Sequence, residues 1–333
     1  MKKYAKRELT GSLTIVRALI GIIHHMVPHS AKIRLFTNEQ QNLAEDIFKR
    51  FGPIPRICIN SVRDRSQLCT YESLCMATVA YITADDLRRF VFDGVCLDHD
   101  GGSDSIFMVR RNEVDNLGGS YFIEPISVNV EMELMTAINR MQRLDRINLY
   151  RAFASLDMTT VVAGLLYTSL GHGHLQEGIT LTLRPMIQSQ QQMLFHSKSQ
   201  GEEQASNSTD LDDSTMSIFF PPNTEIIYEG SLTSVQPNHL YVPKARSQVA
   251  FDSFFQLGAI LYIFQFTVAT NHDIKKGIEE SLPGPPNMLP RKENWRLVFI
   301  TARGCEVNVK ATSGVEKSLE GVTLYSAHLE IEH

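Results

Sequence analysis

Asp252 is followed thirteen residues later by Gln265-Phe266-Thr267, inside an apolar run, with Lys244, Arg246, Lys275 and Lys276 close by in sequence. Two adjacent strands of that length bring Asp252 beside Gln265. A carboxylate and a carbonyl ringed by cations is the outline of a metal-dependent phosphodiester site. Such a site needs hard oxygens to hold Mg²⁺ and a lysine to polarise water or to stabilise the phosphorane. Read this way, Asp252 is the metal ligand, Gln265 offers only a neutral carbonyl, and Thr267 stands where a lysine would be useful. Lys275 or Lys276 would then supply the cation from a following helix. Lys244, Arg246, Arg291, Lys292 and Arg296 form a second expectation, a local basic patch that contacts the phosphates of DNA or RNA. Each feature also has a plainer reading, Asp252 as a helix cap and the lysines as a solvated helix face.

Other chemistries lack their motifs. No G-x-x-x-x-G-K-[ST], GxSxG, HExxH or GxGxxG occurs; Gly314-Val315-Glu316-Lys317-Ser318 has only the tail of a phosphate loop. Asp98-His99-Asp100-Gly101-Gly102-Ser103-Asp104 is rich in oxygen ligands but has no distal bidentate glutamate at calcium-loop spacing, so it reads as a hairpin turn. His172 and His174 form an HxH pair without a third ligand nearby in sequence, and a helix terminus explains them. The net charge of −5 over 333 residues excludes a global basic footprint, so any nucleic-acid contact has to be local. Cys58, Cys69, Cys75, Cys96 and Cys305 are odd in number and scattered, which fits reduced thiols in the cytoplasm or nucleus. The apolar run Leu13 to Ile23 is broken by Arg17 and ends in His24-His25 rather than at a small-residue cleavage site. No run approaches the roughly 20 apolar residues that cross a bilayer, so no membrane partner is expected.

The elements that must position these residues follow from periodicity. Residues 1–50 read as helical, with Asn38 to Lys49 amphipathic, and Arg56 to Ile59 has β character. Thr83 can cap a short helix that carries Asp85 and Asp86 in its first turn, and strands are expected at Val91 to Leu97 and Ser105 to Arg110. Residues 125–172 are the most clearly helical, with Met132, Met135, Ile138, Met141 and Leu144 as a core stripe and Gly171-His172-Gly173 closing the last helix. Gly178 to Pro185 alternates as a strand. Residues 187–217 are rich in Gln, Ser, Asp and Glu and read as a disordered insertion. Strands follow at Thr224 to Tyr228, His239 to Val242, Ala259 to Val268 and Trp295 to Thr301, with a helix from His272 to Ser281. The fold class is α/β: a mostly helical α+β region over 1–147, then an α/β sandwich around a short mixed sheet over 148–333.

The stretch Leu240 to Thr267, with His272 to Gly277 and Asn294 to Ile300, resembles the C-terminal part of fungal Crinkler-like and retrotransposon-hot-spot-like proteins. Phe51 to Cys58, Asn129 to Glu133 and Leu175 to Thr180 resemble the same group, so the likeness spans roughly residues 40 to 330. In that family a P-loop ATPase domain precedes a restriction-endonuclease-like domain. The resemblance implies that this chain begins near the end of the ATPase and lacks its Walker motifs. It also implies a helix acid where this chain has Thr168, an aspartate at Asp252, and a [DE]-x-K motif that here is Gln265-Phe266-Thr267. The expected function is therefore a nucleic-acid-directed effector or mobile-element-type protein with a degenerate nuclease site. The alternative is a non-catalytic interaction module or a truncated gene product, and export by an unconventional route remains open.

Overall fold

The computed structural model describes residues 37–51, 57, 60–62, 64–92, 106–111, 121–188, 194–196, 215–230, 232–244, 250–274, 278–282, 288–302, 305–311 and 319–331. The chain divides into two units, one of residues 1–108 with 124–137, the other of residues 109–123 with 138–333.

The first unit is built on short capped helices. Helix α1 (Asn38–Phe51) opens on a reciprocal cap in which Thr37 Oγ1 accepts from the Gln40 N–H and the Gln40 side chain accepts from the Thr37 N–H. Its Ile47 packs with Val62, against Leu43, Ala44, Ile57, Leu68 and Tyr71. Ile57 is helical, against the β character expected for that stretch. Helix α2 (Arg65–Ala80) is capped by the Asp64 carboxylate, which accepts from the Ser66 N–H. Helix α3 (Ala84–Phe92) starts on the expected Thr83, whose hydroxyl accepts from the Asp86 N–H while Asp86 accepts from the Thr83 N–H. Val91 and Phe92 end this helix and do not begin the strand expected there. Strands β1 (Phe107–Arg111) and β2 (Tyr121–Pro125), which form a two-stranded sheet, and helix α4 (Val128–Arg140), with Val130, Leu134, Met135, Ala137 and Ile138 buried, are each divided between the two units. Residues 98–104, read as a turn, lie outside the described residues.

In the second unit the apolar segments pair into one large sheet. Helices α5 (Arg143–Ala154) and α6 (Thr160–Glu177) come first, then β3 (Ile179–Pro185), β4 (Ile187–Gln188), β5 (Leu194–His196), β6 (Met216–Phe220) and β7 (Thr224–Tyr228). They are followed by β8 (His239–Pro243), β9 (Ser253–Leu257), β10 (Ile260–Thr267), β11 (Asn271–Ile274), the one-turn α7 (Ile278–Ser281), β12 (Trp295–Thr301), β13 (Asn308–Ala311) and β14 (Thr323–His328). The main sheet has eight strands in the order β6-β3-β14-β12-β10-β9-β8-β7. It is thus larger than the short mixed sheet expected. Strands β10, β12 and β14 run parallel, whereas β8-β9-β10 is an antiparallel meander. The edge strands β6 and β7 are consecutive in sequence and joined only by Pro221-Pro222-Asn223. Four peptide steps reach at most about 15 Å, so the two edges must approach and the sheet must curl. Accordingly Phe220 at the end of β6 packs edge-on against Phe255, Tyr262 and Phe264 of β9 and β10.

Strand β10 is covered on both faces, which is why its sequence is almost continuously apolar. One face meets α6, and the other joins Leu261 and Ile263 to Tyr241, Phe254, Leu297, Phe299 and Leu324. Helix α6 is buried nearly all round because α5 covers its other side. It does not close at Gly171-His172-Gly173, as expected, but runs on to Glu177. A Cβ at Gly171 would lie 2.1 Å from the Phe266 ring, so that glycine serves close packing. The helix stops at Gly178, whose φ of 89° is the left-handed conformation that glycine adopts freely. The helix expected over 272–281 is instead β11 followed by the single turn α7, because β11 pairs in parallel with β13 in a four-stranded sheet β11-β13-β5-β4. Within 187–217, expected to be disordered, β4, β5 and the start of β6 are strands. Among the described residues, no helix is long and apolar enough to cross a membrane.

Candidate functional site

The expectation that neighbouring strands bring Asp252 to Gln265 is met. Strand β9 pairs antiparallel with β10 so that Ser253 faces Phe264, which leaves Asp252 level with Gln265 just past the ladder. The Asp252 N–H donates to the Phe264 carbonyl at 2.9 Å. Its carboxylate Oδ2 accepts twice, from Gln265 Nε2 at 2.8 Å and from the Phe266 N–H at 2.7 Å. Ser253, pointing to the other face, shares a hydrogen bond of 3.1 Å with Nε2 of the buried His172, and the His172 ring stands edge-on to Phe266.

This donor set is a poor match to Mg²⁺. A divalent cation needs several hard oxygens, whereas Asp252 Oδ2 is engaged by an amide nitrogen and a backbone N–H. Because a carboxylate only accepts, Gln265 must turn its nitrogen toward Asp252. Thr267 is buried, and its hydroxyl accepts from the Ala269 N–H at 3.1 Å. Thr168, at the position of the expected helix acid, donates to the Gly164 carbonyl of its own helix at 2.9 Å. Lys275 and Lys276 lie outside the described residues, as does Arg246. Among the described residues, no group of three or more His, Cys, Asp or Glu side chains could hold a metal ion. His172 and His174 diverge, the first toward Ser253 and the second toward Arg143.

Of the expected basic patch, Lys244, Arg291, Lys292 and Arg296 lie among the described residues and Arg246 does not. Lys244, just past β8, forms a 2.9 Å ion pair with Glu229. Lys292 pairs with Glu279, and the Arg296 guanidinium donates to the carbonyls of Glu293 and Trp295. Arg291 is exposed beside them. Arg296 is level with Tyr262 in the sheet, whereas the pairing of β8 with β9 sets Lys244 near the level of Phe266. The two ends are therefore separated by roughly 13 Å along the strands alone.

A different polar cluster, not anticipated from the sequence, joins α5 to α6. Arg143 Nη1 donates to both carboxylate oxygens of Glu177, at 2.9 and 2.7 Å, and its Nη2 lies 3.2 Å from the His174 ring nitrogen Nε2. Arg146 Nη1 donates to Ser169 Oγ at 2.8 Å, and Ser169 in turn donates to the Asn139 side chain. Arg146 Nε is buried without a hydrogen-bond partner. Burial, and then the charge of Arg143, lower the pKa values of both Arg146 and His174, and Glu177 opposes the shift. One signal in the sequence could have found the cluster. Two arginines in the first turn of a helix stand against its dipole, and the N-cap Gln142 makes no side-chain cap. A second unforeseen polar contact lies at the ends of β12 and β14, where Thr301 Oγ1 and His328 Nδ1 are 2.8 Å apart. Burial, and then Arg184, lower the His328 pKa.

Comparison with protein-family models, with curated proteins and with solved structures finds no match for this chain.

Proposed function

We propose that the second unit is a nucleic-acid-directed protein on a restriction-endonuclease-like scaffold that has lost metal-dependent cleavage. The observation that carries this reading is the Asp252–Gln265 contact on the β9–β10 hairpin. The Crinkler-like resemblance implies an aspartate and a [DE]-x-K strand in this juxtaposition. Here a neutral amide fills the second acidic position and Thr267 fills the lysine position. A single carboxylate engaged by two N–H donors has little means to hold Mg²⁺ or to charge a water, so binding outlasts chemistry.

The test is incubation of the full chain, and of its Asp252→Ala variant, with single- and double-stranded DNA and RNA in Mg²⁺ or Mn²⁺. Retention of nucleic acid that weakens steeply with salt, without cleavage by either protein, is the expected result. Metal-dependent cleavage that disappears in Asp252→Ala would overturn the loss of activity. Absence of retention at low salt would remove the nucleic-acid assignment.

A second reading, a non-catalytic protein-interaction module, draws on the ion pairs of Lys244 with Glu229 and of Lys292 with Glu279. Lysines neutralised within the chain leave fewer charges for phosphates, and retention insensitive to salt would favour this reading.

A further inference from the structure

We propose that Arg143, Arg146 and His174, at the junction of α5 and α6, form a phosphate-binding site in which Glu177 is a resident counter-ion that an incoming phosphate displaces. The case starts from charge placement. Arg143 and Arg146 occupy the first turn of a twelve-residue helix, where the aligned peptide dipoles already carry partial positive charge. Cations destabilise that end, and an anion relieves the repulsion. The anion in place is Glu177, which reaches across from the last turn of α6 and binds Arg143 through both carboxylate oxygens. Its side chain is 58% exposed, so it is held by this pair and not by packing. Asp145 lies in the same helical turn but is not among the groups acting on Arg146 or His174.

The arginines are not saturated by Glu177. Arg146 makes its hydrogen bonds through Nη1 to Ser169, while its Nε is buried with no acceptor. A buried guanidinium N–H without a partner costs free energy that a bound acceptor would recover. Ser169 and Asn139 hold the guanidinium in place from behind. His174, kept neutral by burial beside Arg143, retains one ring N–H to donate. Arg143 contacts both Glu177 and His174, and the charges of Arg143 and Glu177 act on Arg146; guanidinium and imidazole N–H groups of this kind match a tetrahedral oxyanion, with bidentate arginine geometry favouring phosphate. The source of the phosphate rests on the function proposed above: it is a phosphodiester of a nucleic-acid backbone.

The experiment titrates the full chain with inorganic phosphate and, separately, with a labelled single-stranded oligonucleotide, for the native chain, Glu177→Gln and Arg143→Gln. Both substitutions are at exposed or half-exposed positions, and circular dichroism confirms that each variant is folded. Glu177→Gln removes the competitor and is expected to tighten phosphate binding about fivefold, and Arg143→Gln to weaken it about tenfold. The oligonucleotide should follow both changes. Phosphate affinity that ignores Glu177→Gln, or no phosphate binding by any of the three, overturns the site. Oligonucleotide binding that ignores both substitutions also overturns it, and leaves the nucleic-acid reading standing. Phosphate that responds while the oligonucleotide does not bind keeps the site and removes the nucleic acid as its source.

Discussion

The β9–β10 hairpin and the α5–α6 junction both concentrate polar groups in the same unit, and they satisfy them in opposite ways. At the hairpin Oδ2 of Asp252 accepts from two neutral donors, the Gln265 amide and the Phe266 backbone. These two bonds, with that of the Asp252 N–H to the Phe264 carbonyl, tie the end of the strand pair. At the junction, charges meet charges, and an arginine nitrogen is left over. A polar group that is fully answered from within stabilises the fold, whereas one answered incompletely retains capacity for a ligand. By that criterion the place where the sequence most strongly suggests chemistry is the more structural of the two.

The comparison can be broken at several points. The largest effect is expected beneath the hairpin, where Phe266 packs on Gly171 of α6. Gly171→Ala would push a methyl into a buried ring and should cost about 3 kcal/mol in denaturant unfolding. A loss under 1 kcal/mol would mean that the helix can lift from β10 at little cost.

Asp252→Ala should be the next largest, at about 2 kcal/mol, since it strands the Phe266 N–H and the Gln265 amide. Asp252→Asn retains one acceptor and should lose less. If Asp252→Ala were neutral or stabilising, the carboxylate would be under strain for a functional purpose and the contrast with the junction would collapse.

The smallest effect concerns acid. Burial lowers the His174 pKa below its ordinary 6.5, so between the folded and unfolded values the unfolded chain binds the extra proton. Its neutral form favours the fold above pH 6.5, and that contribution is lost as pH falls through and below 6.5. His328 shifts in the same direction and loses stability in the same window. The melting temperature should therefore drop on acidification below 6.5, and His174→Gln should flatten part of that slope. An unchanged slope would place His174 outside the electrostatics of the junction.

How far the fold was legible varies with the range of the interactions that make it. Local signals held: the Thr83–Asp86 cap, the alternation of Ile179, Leu181 and Leu183, and the apolar runs of β10 and β12 correspond to elements found in place. The meeting of Asp252 with Gln265 was legible too, because an antiparallel hairpin with a short turn permits one register. The run after Asn271 was misread because its helical periodicity is local, while its pairing with β13 comes from more than thirty residues away in sequence. The closure of α6 was misplaced because glycine has two uses: Gly171 admits a ring and Gly178 turns the chain. The separation of Lys244 from Arg296 was not legible, because nearness in composition carries no information about which end of a strand a residue occupies.

The sequence by itself determined the mixed α/β class, most elements of the main sheet, and the contact of Asp252 with Gln265, since periodicity, capping and short turns act over a few residues. Tertiary structure alone decided three things. It curled the eight strands so that β6 and β7 approach, paired Lys244 and Lys292 with acids of their own unit, and set Arg143 against residues 31 and 34 positions further along the chain. Coulombic and hydrogen-bonding energies depend on distance in space, and for residues so far apart in sequence only the packing of α5 on α6 fixes that distance.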